Sequence, residues 1–167
     1  VVNNGTISLT LAAMAAGVEA GDEVIVPNYT MIATPNSLRM FGAVPVFVDV
    51  EPETLCLNIA LVAKAITTKT KAIVFVVANG RAPAAGIEAF QQLCDQHGLV
   101  LIEDAAQGLG SYYHDSTHTG TKGLVGSFSF SAPKIISTGQ GGAVVTNDDK
   151  IAQKIRKLKE SIPKKTL

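Results

Sequence analysis

The sequence predicts an α/β domain: a parallel sheet covered by helices on both faces. Three observations lead there. Short β-branched apolar runs alternate with stretches of helical periodicity, the strand–helix–strand order of the class. The runs are nearly continuous in apolar residues, as strands are when both sheet faces are buried. Turn residues bound each run. At 167 residues, 47% hydrophobic and 17% charged, the chain is long and apolar enough for one domain with a substantial core.

The elements follow in order. Residues 5–16 form a helix candidate that places Ile7, Leu11, Met14 and then Val18 on one stripe, with Gly17 as its stop. GDEVIVP (21–27) is a buried strand. TPNSLRMFG (34–42) is a helix capped by Thr34, with Pro35 at the first helical position and Gly42 at the end. AVPVFVDV (43–50) is a second buried strand, and 59–66 carries a weaker helical pattern. KAIVFVV (71–77) is a third strand. Residues 84–97 space Ile87, Phe90, Cys94 and His97 as a helix ending at Gly98, and LVLIEDAA (99–106) is a fourth strand. FSFSAPKIISTGQGGAVV (128–145) runs from strand to break to lone lysine, then through a glycine-rich turn into another strand. A last helix spans 148–160, opened by Asp148 or Asp149. There is no internal repeat, low-complexity segment or linker.

Composition excludes several function classes. Lys plus Arg and Asp plus Glu are both 14, so the formal charge is zero, without the clustered positive charge of a nucleic-acid footprint. The one basic cluster, Lys154, Arg156, Lys157 and Lys159, continued by Lys164 and Lys165, is the solvated face of a terminal helix. Cys56 and Cys94 lack CxxC spacing, which argues against a zinc site or a disulfide framework and for a reducing, cytoplasmic setting. No apolar run reaches membrane-spanning length, and no signal peptide is evident. The abrupt start at VVNNGT, without methionine, suggests a piece of something longer.

In open α/β sheets, ligands sit beyond the carboxyl ends of the strands. Four clusters fall there: Asp104 to Gln107, Ser131 to Lys134, Asn28 to Thr30, and Asn4-Gly5-Thr6 at the first helix start. Together they offer a carboxylate, an amine, hydroxyls and free backbone N–H groups. A helix start with small residues binds phosphate. A carboxylate at a strand end pairs with a protonated ring nitrogen. A desolvated lysine attacks a carbonyl to form a Schiff base. The set suits pyridoxal 5'-phosphate, held by Lys134. Each element also has a plainer explanation: Asp104 as a turn residue, Asn4-Gly5-Thr6 as an ordinary helix start, 138–142 as a loop, Lys134 as a surface residue. Neither GxGxxG nor GxxxxGK[ST] occurs, which disfavours a nucleotide-binding domain of either kind. His97, a helix C-terminal residue, His114 and His118 have no evident partners in the sequence.

Four segments in this order carry a resemblance: NNGTISLTLAAMAAGVEAGDEVIVPNYTMIATPNS, FGAVPVFVDVEPETLCLN, LVLIEDAAQGLGSYY and GSFSFSAPKIISTGQGGAVVTND. Over nearly its whole length the chain resembles the DegT/DnrJ/EryC1/StrS sugar aminotransferases, which are fold-type I pyridoxal-phosphate enzymes. The joint occurrence of EDAAQ and SFSFSAPK…TGQGG is its most specific part. The SAPKIISTGQGG wording is most similar to members that make perosamine-type 4-amino sugars on a nucleotide carrier. The resemblance implies a fold-type I large domain, 1–167, with a mostly parallel mixed sheet covered by helices on both faces. It also implies a smaller C-terminal domain and an N-terminal segment that this chain lacks.

By resemblance, Lys134 is the Schiff-base lysine and proton shuttle, and Asp104 keeps the pyridine nitrogen protonated. Gln107 lies beside the ring hydroxyl. Ser129, Gly5 and Thr6 meet the phosphate. Relatives that dehydrate their sugar carry histidine where Lys134 stands, so the lysine implies transamination. Many relatives have an aromatic residue stacked on the ring where this chain has Met31; a thioether also packs on a ring face. Tyr29 is expected to point elsewhere. The implied reaction moves an amino group from an amino acid, glutamate, to a nucleotide-linked 4-keto-6-deoxy sugar, within a homodimer whose subunits share the active site. The alternative is a truncated, non-catalytic homologue that binds a ligand or partner.

Overall fold

The computed structural model describes residues 1–160. Strands β1 (Glu23–Pro27), β2 (Val44–Val48), β3 (Thr70–Val76), β4 (Val100–Asp104), β5 (Val125–Ser129) and β6 (Gly142–Val145) form one sheet in the order β2-β1-β3-β4-β5-β6. All neighbours run parallel except β5 and β6, which are antiparallel, so the sheet is mixed as expected. Helices α1 (Gly5–Ala15), α2 (Ala33–Arg39), α3 (Ile59–Ala65), α4 (Ile87–His97) and α5 (Asp149–Glu160) cover both faces. The chain goes outward from β1 to β2 and then returns to β3 on the other side of β1. The sheet's switch point therefore lies between β1 and β3, where α/β sheets open a crevice.

Strand residues alternate between two cores. Val24, Val26, Val74, Val76 and Ile102 pack with Leu9, Leu38, Ile151 and Ile155 of α1, α2 and α5. Ile25, Ile73, Phe75 and Leu101 pack with Val62, Ile87 and Phe90 of α3 and α4. Each helix start follows local chemistry. Asn4 Oδ1 accepts from Ile7 N at 2.9 Å, Asn58 Oδ1 accepts from Ala60 N and Leu61 N, and Asp148 Oδ1 accepts from Lys150 N and Ile151 N. At the other end of α4, Gly98 takes the left-handed conformation, φ 63°, and closes the helix as expected. Cys56 and Cys94 are both buried free thiols, and burial pushes Cys94 up to about 12.

Four expectations are corrected. The apolar stripe on α1 is misplaced. Met14 is exposed and Ile7 half-buried, while Ser8, Leu9, Leu11, Ala12, Ala13 and Ala15 face inward. The helix is wedged between the sheet, α2 and α5, so small residues are buried on most sides and no narrow stripe exists. Helix α2 starts at Ala33 rather than after Thr34, with Ile32 at the cap, so Pro35 is its third residue. That position also lacks an intrahelical acceptor, and the missing N–H costs nothing. Helix α4 starts at Ile87 rather than residue 84, because Pro83 to Gly86 close a turn and Gly86 has φ 77°. Strand β2 is an edge rather than a buried strand, with Val44 and Phe47 exposed. On α5 the cations Lys154, Arg156, Lys157 and Lys159 lie away from the buried Ile151 and Ile155; Lys164 and Lys165 are outside the described residues.

Phe90 is fully buried, its ring 5.0 Å from that of Phe75. Phe90→Ala is expected to cost about 3–5 kcal/mol of stability in urea denaturation. A midpoint matching the wild type would contradict the packing of α4 on the sheet.

Candidate active site

The carboxyl ends of β1, β3, β4 and β5 open into a cleft with two lobes that share Met31, Asp104, Ala106 and Lys134. One lobe, about 270 Å³, lies at the switch point and is lined further by Tyr29, Thr30, Asn79 and Gln107. The other, about 280 Å³, reaches the start of α1 and includes Gly5, Thr6, Ser129 and Ser131. All seven site residues expected from the sequence (Gly5, Thr6, Met31, Asp104, Gln107, Ser129 and Lys134) line these lobes.

At α1, Asn4 takes the amide of Ile7, while the amides of Gly5 and Thr6 have no acceptor among the described residues. Both residues line the second lobe together with Ser129. A Cβ at residue 5 would come within 2.8 Å of Ser129 Cβ, so only glycine permits this approach. The helix start is tied to the far end of the chain. Val2 and Gly142 exchange backbone hydrogen bonds of 2.8 and 2.9 Å. A Cβ at residue 142 would meet Asn4 O at 2.5 Å. The glycine-rich turn is thus the seat of the first helix as well as the approach to β6.

Asp104 ends β4 and is 4% exposed. Burial pushes its carboxyl above the ordinary range, opposed by the Thr34 hydroxyl at 2.7 Å, the Ala106 amide at 3.2 Å and the charge of Lys134. Gln107 Oε1 accepts from Asn79 N at 2.7 Å. The end of Gln107 left for a ligand is therefore its donor, Nε2. Lys134 is half-buried on the loop after β5, its amide closing a turn onto Ser131 O at 3.0 Å.

Several contacts were not foreseen from the sequence. Tyr29 does not point elsewhere: it lines the first lobe, and its hydroxyl accepts from Asn79 Nδ2 at 3.5 Å. Asn79 holds a left-handed backbone, φ 52°; the Asn-Gly pair after β3 was the available signal. Thr34 is buried and donates to Asp104. His118 is partnered, with Nδ1 against Thr119 O at 2.6 Å and Nε2 accepting from Gly110 N at 2.9 Å. Glu103 is fully buried on the face opposite Asp104. It accepts from the Tyr113 hydroxyl and from the amides of Gly120, Lys122 and Gly123. An acidic residue inside the apolar run VLIED was the signal there. Burial and the neighbouring Glu103 carboxylate raise the Tyr113 pKa, keeping its hydroxyl a donor.

The mostly parallel sheet with one antiparallel edge has the fold of the fold-type I pyridoxal-phosphate aminotransferases. The chain belongs to the DegT/DnrJ/EryC1/StrS aminotransferase family, whose model matches residues 1–165. It is 44% identical over 158 residues to GDP-perosamine synthase of Vibrio cholerae, covering 95% of this chain and 42% of that protein. It is 43% identical over 156 residues to L-glutamine:2-deoxy-scyllo-inosose aminotransferase of Streptomyces paromomycinus, covering 93% of this chain and 36% of that one. Among solved structures, S. venezuelae DesV in complex with a ketimine intermediate matches with a TM-score of 0.90 and 38% identity, over 99% of this chain and 44% of that chain. The chain thus spans less than half the length of the curated relatives it matches. The family's cofactor is pyridoxal phosphate, and matching structures hold it in its pyridoxal and pyridoxamine forms.

The raised pKa of Asp104 has a consequence for stability without cofactor. Between its ordinary value of 3.8 and its higher native value, the folded state binds more protons than the unfolded state. Stability therefore falls as pH rises through that window. Asp104→Asn removes the penalty, so in urea titrations the cofactor-free variant should gain stability relative to wild type as pH rises above the ordinary carboxylate value of 3.8. A difference that does not change with pH would mean the carboxylate ionises without cost.

Proposed function

We propose that the chain is the cofactor-binding large domain of a pyridoxal-phosphate-dependent aminotransferase, acting on a nucleotide-linked keto-deoxy sugar with an amino acid, glutamate, as donor. The observation that carries this reading is the meeting of Lys134, Asp104, Gln107, Ser129 and the free amides of Gly5 and Thr6 around one cleft. The donor set fits the cofactor. The second lobe is lined by Gly5, Thr6 and Ser129, where two backbone amides without acceptors among the described residues and a hydroxyl suit a phosphate. A buried carboxylate backed by hydrogen bonds suits a ring N–H.

Within this reading Lys134 Nζ would be the amine that holds the cofactor through its carbonyl carbon, water leaving, and the group that would carry a proton once freed. Asp104 holds the proton on the ring nitrogen. Gln107 Nε2 donates to the ring oxygen, and Met31 packs against the ring. Gly5, Thr6 and Ser129 hold the phosphate, which fixes the ring relative to Lys134. When bound, pyridoxal phosphate supplies an electron sink and a carrier for the amino group. The name of the Vibrio relative supports a nucleotide-linked amino sugar; that of the Streptomyces relative supports an amino-acid donor, with glutamine in the place of glutamate. A cytoplasmic homodimer with a shared site completes the proposal. No helix among the described residues is long and apolar enough to cross a membrane. The intact lysine and carboxylate favour this reading over a non-catalytic binding module.

Incubation with pyridoxal phosphate, borohydride reduction, intact mass and peptide mapping test it. One adduct at Lys134, absent in Lys134→Ala, is expected; scattered adducts on surface lysines would refute the assignment. In a form that transfers amino groups, Lys134→Ala should lower turnover by at least about 10²-fold.

A further inference from the structure

We propose that Thr34 is a positioning residue for this cleft: its hydroxyl, backed by that of Thr30, fixes the plane of the Asp104 carboxyl group and keeps that group an acceptor. The inference rests on the reading of Asp104 as the acid that faces the cofactor ring.

Thr34 lies in the first turn of α2, 70 residues away from Asp104 in sequence and 1% exposed. Its hydroxyl donates to Asp104 Oδ2 at 2.7 Å, while Oδ1 accepts from Ala106 N at 3.2 Å. One bond at each oxygen, from two separate elements, prevents rotation of the carboxyl group. A threonine hydroxyl has one proton. An ionised Asp104 can only accept, so that proton points at it, and the Thr30 hydroxyl must be the donor in the 2.8 Å contact with Thr34. The relay thus has one direction, from the cleft-lining Thr30 through Thr34 to Asp104.

The turn that carries Thr34 is itself held. The Thr34 carbonyl accepts from the Ser37 hydroxyl at 2.7 Å, and Thr34 N donates to Met31 O at 3.0 Å. The same turn therefore sets Met31 in the cleft wall. Beside Asp104, β3 presents Val76, β5 presents Ser127 and α2 presents Thr34, none of which is charged. Lys134 is the charged group whose field reaches it. In such surroundings a hydroxyl that favours the carboxylate over the acid counts for more than it would in water.

The test follows the side-chain carboxyl carbon of Asp104 by NMR in cofactor-free protein, assigned by its loss in Asp104→Asn. Thr34→Val keeps the shape and removes the donor. It should raise the proton affinity of Asp104 about tenfold, and Thr34→Ser should titrate with the wild type. Coincident titrations of Thr34→Val and wild type would overturn the proposal. Should Thr34→Val not fold, the wild-type hydroxyl decides. A slowly exchanging Thr34 proton that shifts as Asp104 titrates supports the relay, and a freely exchanging one refutes it. No borohydride adduct at Lys134 with the coupling present would refute the cofactor reading while leaving the relay in place. An adduct with no coupling would refute the relay alone.

Discussion

Two adjacent carboxylates are buried on opposite faces of one strand, and the cleft depends on how differently they are satisfied. Neighbouring residues of a strand point to opposite sides. Glu103 points into the layer of α3 and α4, where three loop amides and the Tyr113 hydroxyl saturate it. Asp104 points the other way, with two donors and an open side toward the cleft. A buried charge is tolerated only when it is paired or fully hydrogen-bonded. Glu103 meets that condition internally and, in doing so, pins the long connection from β4 to β5 across the sheet. Asp104 meets it only in part, and the remainder is what a cationic ligand group can supply.

The other parts arrange themselves around that strand end. Gly5 and Gly142 are there because backbone and side chain pass too close for a Cβ, and both contacts bring the start of α1 against the ends of β5 and β6. Asn79 leaves the α-region after β3 so that its amide can orient Gln107. Each device sets a donor or acceptor before any ligand arrives. Such preorganisation is where a site of this kind gains its binding strength.

Most of the fold was legible in the sequence because a buried parallel sheet leaves a strong trace. The apolar runs 21–27, 71–77 and 99–106 hold strands close to where they were expected, the last stopping at Asp104, and the glycine-ended helix before Leu99 stops where it should. The edge character of β2 was not legible, since AVPVFVDV looks like a central strand and only the strand order shows that one side has no neighbour among the described residues. The alanine-rich α1 has no apolar stripe to find, because three neighbours bury it together. At the cleft, the residues that the resemblance implied are ones the structure brings together along its walls. Those that hold them were not legible, with Thr34 looking like a helix cap and Asn79 like a turn. Their partners lie 70 and 28 residues away, and no local pattern records that.

The tie between the first helix and the last strand has a bearing on how the domain assembles. The Ser8 hydroxyl donates to Ala143 O across 135 residues, and Val2 pairs with Gly142. Contacts of such separation carry the largest loop-closure entropy and form late. Helix α1 is made before β5 and β6, yet its docking place exists only when they do. The lobe between the start of α1 and the end of β5 therefore forms late among the described elements, and a ligand bound there would consolidate contacts already made instead of templating early ones.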